Sequence, residues 1–215
     1  MANSIEESPI INRSVERYLD GLIPSRDSVL AEMEQRARRE HIPIVGPSVG
    51  RLLTLLIKMT GARRIFEMGS AIGYSRIWLA RAAGPGAEVY YTDTDPARAR
   101  DAQGYFRRAG VTNRIHVQVG DAVQALRKAK GTFDVIFCDV NKSQYPAAFH
   151  AAFPRLRRAG LFITDNVLWS GKVTGRAADT ATRAIRRFNR LVYSSRELFP
   201  VILPLRDGVA VCRKS

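Results

Sequence analysis

The chain has 215 residues, 46% hydrophobic and 25% charged, with 34 lysines and arginines against 20 acids for a net charge of +14. That length buries one full core with little left for a second domain, and no run approaches the roughly 18–20 apolar residues that cross a bilayer. Residues 1–9 are polar and do not read as a secretory signal, and Cys138 and Cys212 each sit in an apolar run as expected of buried free thiols, so a soluble cytoplasmic protein is expected.

Three helices are expected before the first strand. The first, Ile11–Leu22, carries Val15, Tyr18, Leu19 and Leu22 at helical spacing. The second is capped by Ser25 or Asp27, lines one face with Val29, Met33 and Ala37, and stops at Pro43. A short extended piece, Val45–Pro47, leads to the third, Val49–Met59. Residues 1–60 thus read as a helical cap and 61–215 as an α/β core, together one domain.

From Arg63 short apolar runs alternate with amphipathic segments. Strands are expected at Arg64–Glu67, Glu88–Thr92, Ile115–Val119, Phe133–Asp139 and Leu161–Thr164. Helices are expected at Tyr74–Ala83, Pro96–Ala109, Ala122–Ala129 and Pro146–Leu156. This alternation is the signature of a doubly wound, Rossmann-like parallel sheet. A long helix at Ala177–Tyr193 follows, then strands Leu198–Leu205 and Val209–Arg213, joined through Asp207-Gly208 as an antiparallel pair.

The turn after the first strand reads Gly69-Ser70-Ala71-Ile72-Gly73. Glycines there let the backbone approach a ligand, and the next helix points its N-terminal amides at the same space. A nicotinamide-binding loop requires Gly-x-Gly-x-x-Gly, which this chain lacks.

Every parallel strand ends in an acid or amide: Glu67, Asp93, Gly120-Asp121, Asp139 and Asp165-Asn166. Ligands of open α/β sheets bind outside those ends. In a 3-2-1-4-5 order, Glu67, Asp139 and Asp165 crowd together. Asp93 follows Gly69 at the distance of a ribose-binding acid, or caps the helix at Pro96, for which Asp95 is better placed. Asp121 could meet an adenine amino group or cap a helix. Asp139, Asp165 and Asn166 are hard oxygen donors suited to Mg²⁺ or a similar cation, or Asp165-Asn166 is a plain turn. Lys142 beside a dication could accept a proton, or could form an ordinary ion pair with those acids.

The Phe66–Ser75 run, the Phe133–Asp139 strand with Lys142 and Tyr145, and Thr164–Val173 together resemble the cation-dependent O-methyltransferases, the group of the catechol and caffeoyl-coenzyme A enzymes. The likeness implies a class I S-adenosylmethionine (SAM) methyltransferase fold, seven strands in the order 3-2-1-4-5-7-6 with the last antiparallel. It implies that Glu67, Gly69 and Ser75 line the methionine end of SAM, that Val45, Ser70, Gly73, Tyr74, Gly120 and Asp139 also bind the cofactor, and that Asp139 is catalytic as well. Asp93 would hold the ribose, with Asp121 and Ala122 near adenine. It implies a divalent cation on Asp139, Asp165 and Asn166, Lys142 as base, and a homodimer. Two departures stand out: Asp139-Val140-Asn141-Lys142 where many relatives have Asp-x-Asp-Lys, and Arg206 where relatives often have glycine.

The acceptor implied is a small vicinal dihydroxy phenol, with Trp169 stacking on it or simply packing under its loop. The alternative is a tRNA 5-hydroxyuridine O-methyltransferase. From residue 140 on, 14 lysines and arginines face four acids, and Arg183, Arg186, Arg187 and Arg190 form one helical stripe that could track phosphates or be a solvated face. A non-catalytic RNA-binding module would keep those arginines but would have no need of Asp139, Asp165, Asn166 and Lys142 together.

Overall fold

The computed structural model describes residues 10, 12–69, 71–176 and 179–215. Ser70 and the expected helix starts at Ile11 and Ala177 therefore lie outside the described residues. Three helices come first: α1 (Arg13–Gly21), α2 (Ser28–Glu40) and α3 (Gly46–Thr60). Asp27 caps α2, its carboxylate accepting from the amides of Val29 (3.0 Å) and Leu30 (3.4 Å). Residues 45–47 are not extended as expected. Gly46 opens α3 and Pro47 sits in its first turn, where a missing N–H costs nothing.

The core alternates as expected: β1 (Arg64–Met68), α4 (Tyr74–Ala83), β2 (Glu88–Asp93), α5 (Pro96–Arg108), β3 (Ile115–Val119), α6 (Ala122–Lys128), β4 (Phe133–Cys138), α7 (Tyr145–Ala152), β5 (Leu156–Thr164), α8 (Thr180–Ser194), β6 (Leu198–Leu203) and β7 (Val209–Lys214). The sheet order is β3-β2-β1-β4-β5-β7-β6. Strands β1 to β5 pair in parallel, and β7 runs antiparallel to both β5 and β6.

The largest boundary difference is at β5, which begins at Leu156 rather than Leu161. Two arginines, Arg157 and Arg158, interrupt the apolar run and conceal the strand. The placement of Arg157 has a cause: Asp134 on β4 accepts from the backbone amides of Arg63 (2.8 Å) and Arg64 (2.7 Å) and from the Arg157 guanidinium. The β4–β5 register shifts between Phe133 and Val135, around that same residue. At the other end of the sheet β6 stops at Leu203, because Pro204 has no N–H for the ladder.

Two apolar layers sandwich the sheet. One joins Met33, Leu53, Ile57, Ile77 and Phe106 from α2 to α5 with Val89, Tyr91, Val135 and Phe137 of the sheet. The other joins Leu126, Phe149, Ile185 and Phe188 from α6 to α8 with Phe66, Ile136 and Phe162. Cys138 and Cys212 are free and buried, and burial pushes both thiols up to about 12. The apolar face of α1 is uncovered: Tyr18 is 66% and Leu22 61% exposed. Among the described residues no helix is long and apolar enough to cross a membrane.

Candidate active site

A cleft of about 680 Å³ opens over the C-terminal ends of the parallel strands. It is lined by Val45, Glu67, Gly69, Tyr74, Ser75, Asp93, Gly120, Asp121, Ala122, Asp139, Lys142, Asp165 and Asn166, so strand register brings the expected residues together. Two expected residues are not part of the lining. Gly73 (φ 83°) caps α4 behind the cleft, where an added Cβ would lie 2.6 Å from the Phe106 ring. Trp169 lies beside the cleft, its ring centroid 5.9 Å from Lys142 Nζ and 5.9 Å from Lys172 Nζ.

Gly69 (φ 82°) has two reasons to lack a side chain. Its backbone is left-handed, and a Cβ would fall 2.5 Å from the Asp139 carbonyl oxygen. The β1 turn and the β4 end are thereby held close, and the Asp139 amide donates to the Met68 carbonyl at 2.9 Å. Glu67 is 1% exposed and receives the Ser75 hydroxyl on Oε1. Its Oε2 lies 2.8 Å from Nε of Arg76, a guanidinium wholly removed from solvent. Burial pulls Arg76 down to about 10, against the opposing charges of Glu67 and Tyr91. Arg76 also donates to the Tyr90 carbonyl and lies over the Tyr91 ring. Tyr74 turns its hydroxyl away to Glu34 on α2, at 2.7 Å.

The alternatives left open at Asp93 and Asp121 now separate. Asp95 caps α5, accepting from the Ala97 amide at 2.8 Å. Asp93 accepts the Asp95 amide on Oδ1 (2.8 Å), and its Oδ2 has no partner among the described residues. Asp121 caps α6 through the Gln124 amide (2.8 Å) and also lines the cleft.

The other half of the cleft holds Asp139, Lys142, Asp165 and Asn166. Lys142 Nζ donates to Asp139 Oδ1 at 2.7 Å. Asp165 is 2% exposed; burial and then the Asp139 charge push its carboxyl above the usual carboxylate range. Its backbone carbonyl accepts the hydroxyl of fully buried Tyr145 at 2.7 Å. Asn166 (φ 56°) sends Nδ2 towards Asp207 (3.4 Å), which leaves its Oδ1 as the group able to act as a ligand. Among the described residues no three His, Cys, Asp or Glu side chains cluster. The donor set is two carboxylates and an amide oxygen, which fits an ion that retains several waters.

Asp207 was not anticipated. It accepts from the backbone amide of Ser170 as well as from Asn166, and its carbonyl accepts from Leu168 at 2.9 Å. Arg206 lines the cleft beside it. The expected arginine stripe on α8 is incomplete: Arg186 donates to the carbonyls of Lys172, Val173 and Gly175, so it holds the loop after β5, while Arg183, Arg187 and Arg190 are exposed.

A doubly wound sheet with a reversed seventh strand, and an acid at the end of each of its first five strands around one cleft, defines a class I SAM-dependent methyltransferase. The sequence pattern of the O-methyltransferase family matches residues 25–215, and the chain belongs to that family. It is 31% identical to the catechol O-methyltransferase of Niastella koreensis, covering 94% of this chain and 96% of that one. It is 34% identical to the catechol O-methyltransferase of Mycobacterium tuberculosis over 80% of each. Among solved structures, the Bacillus cereus O-methyltransferase in complex with SAH superposes with a TM-score of 0.85 at 30% identity, covering 94% of this chain and 97% of that one. The Streptomyces achromogenes O-methyltransferase TomG in complex with SAM gives 0.85 at 29%, covering 94% and 96%. The chain is thus a SAM-dependent O-methyltransferase of the catechol and caffeoyl-coenzyme A type.

Proposed function

We propose that this enzyme methylates one hydroxyl of a vicinal dihydroxy aromatic and that it depends on a divalent cation, Mg²⁺ foremost. The observation that carries this reading is the grouping of Asp139, Asp165 and Asn166 at one end of the cleft, with Lys142 Nζ 2.7 Å from Asp139. Buried Asp165 beside Asp139 is a pair of like charges that calls for a cation. A cation held there would lower the cost of the acceptor oxyanion, while bound SAM supplies the methyl group. Lys142 takes the acceptor proton, and a phenol with a pKa near 10 needs such help at neutral pH. Asp93 offers its uncommitted oxygen to the ribose diol. Glu67, neutralised by Arg76, closes the methionine end with Ser75. Beyond this the cleft contributes proximity and alignment.

The uncovered apolar face of α1, with Val15, Tyr18, Leu19 and Leu22, supports assembly as a homodimer. The exposed Arg183, Arg187 and Arg190 support the second reading, tRNA as acceptor.

Incubation with labelled SAM and either catechol or bulk tRNA, each with and without chelator, tests these readings. Mg²⁺-dependent label in catechol is expected. Label in tRNA alone would replace the first reading by the second, and transfer that survives chelation would remove the cation.

A further inference from the structure

Among the described residues, three cationic side chains stand on the cleft wall: Arg98, Lys142 and Arg206. Arg98 faces Asp95 at 3.6 Å and Lys142 faces Asp139 at 2.7 Å. Among the described residues Arg206 has no acid within ion-pair distance. It projects from the β6–β7 hairpin with a left-handed backbone (φ 50°). Its Nη1 donates to the carbonyls of Ile44 (3.2 Å) and Val45, across the cleft mouth. Its Nε and Nη2 make no hydrogen bond among the described residues. One nitrogen therefore fixes the guanidinium, and the edge formed by the other two keeps the parallel donors that a carboxylate accepts in pairs. Arg206 lines the same cleft as Asp165 and Asn166, and the neighbouring Asp207 holds Asn166 and Ser170, so the side chain borders the proposed acceptor half. A single unpaired guanidinium matches a single negative charge. A phosphate dianion would find no second unpaired cation on the wall, whereas a carboxylate needs none.

We propose that Arg206 binds a carboxylate carried by the methyl acceptor, so that vicinal dihydroxy aromatic acids are preferred over uncharged catechols. This rests on the catechol-type reading above. The anchored edge also makes Arg206 selective by charge and shape, because lysine in its place would keep the charge without the paired donors.

The test compares 3,4-dihydroxybenzoate with 4-methylcatechol as acceptors for the wild type, Arg206→Gln and Arg206→Lys, all with SAM and Mg²⁺. The wild type should favour the acid by about tenfold or more in kcat/KM. Arg206→Gln should collapse that ratio by about tenfold, chiefly through KM for the acid, and Arg206→Lys should fall between. A wild-type ratio at or below one overturns the proposal and leaves the catechol reading standing. So does a ratio that Arg206→Gln leaves unchanged while both acceptors slow together, the mark of an arginine that merely straps the hairpin to residues 44–45. If neither acceptor is methylated, the catechol reading fails. Binding of 3,4-dihydroxybenzoate to the S-adenosylhomocysteine-loaded protein then decides: equal affinity in wild type and Arg206→Gln overturns the carboxylate site, and a tenfold loss sustains it.

Discussion

Glu67 Oε2 and Arg76 Nε lie 2.8 Å apart with both side chains withdrawn from solvent, so the floor of the cofactor half is an ion pair. Removing one partner strands the other charge in a low-dielectric interior. Arg76→Met should destabilise the fold by about 3–5 kcal/mol in urea denaturation, and it should weaken S-adenosylhomocysteine binding. Glu67→Gln combined with Arg76→Met should recover part of the stability. A single variant as stable as the wild type would show that the pair is not needed by the fold.

Asp139 and Asp165 should be needed for the cation and dispensable for the fold. Asp139→Ala and Asp165→Ala are each expected to lower kcat by about a hundredfold or more, the scale of losing a principal electrostatic group. Mg²⁺ titration by calorimetry should lose its heat in both. Retained Mg²⁺ binding in both variants would place the cation elsewhere.

Lys142 sits 2.7 Å from Asp139 and 15% exposed, within reach of acceptor and carboxylate alike. Lys142→Met should lower kcat by about 10²–10⁴, the usual contribution of a positioned base. S-adenosylhomocysteine affinity should change little, and the variant's rate should rise with pH as the free phenol ionises. Full activity at neutral pH would exclude Lys142 as the base.

The Tyr145 hydroxyl reaches the Asp165 carbonyl at 2.7 Å from a fully buried position. Tyr145→Phe should cost about 1–3 kcal/mol by leaving that carbonyl unsatisfied, and should loosen the cation site. A thermal midpoint and a Mg²⁺ affinity both equal to wild type would mean the bond contributes nothing.

Asp134 joins β1, β4 and β5. Burial alone would raise its carboxyl; the amides of Arg64 and Arg63 and the Arg157 guanidinium outweigh it and hold it below the usual range. The folded value lies below the unfolded one of about 3.9. Its stabilisation is therefore complete above about pH 4 and fades as pH falls through the folded value. Asp134→Asn should lose about 1–3 kcal/mol at pH 7, and denaturation at pH 3 should show a smaller gap. An equal gap at both pH values would contradict this account.

The acids around the cleft were legible because each closes an apolar run, and parallel register then brings the ends of such runs together. Arg76 was not legible. In Tyr74-Ser75-Arg76-Ile77 it looks like the polar face of an amphipathic helix, and its partner Glu67 stands on the preceding strand. Arg206 stood out only as a departure from family wording, because its anchors, Ile44 and Val45, lie about 160 residues earlier. The first half of β5 escaped for a local reason: Arg157 and Arg158 are charged, and the Asp134 that one of them meets is on another strand.

The loop that carries Asn166 and Trp169 rests on the hairpin between β6 and β7. Val167 donates to the Gly208 carbonyl at 3.0 Å, and a Cβ on Gly208 would fall 2.4 Å from Leu168. The cleft residues proposed for methionine and ribose come no later than Asp139, whereas the loop proposed for the acceptor is braced by residues as late as 208. Synthesis from the N-terminus therefore completes the two halves in sequence. A ribosome-bound chain short of the hairpin could gather the donor half, yet would have nothing to brace the loop against. Competence to spend a methyl group arrives only once the β6–β7 hairpin has followed the donor half off the ribosome.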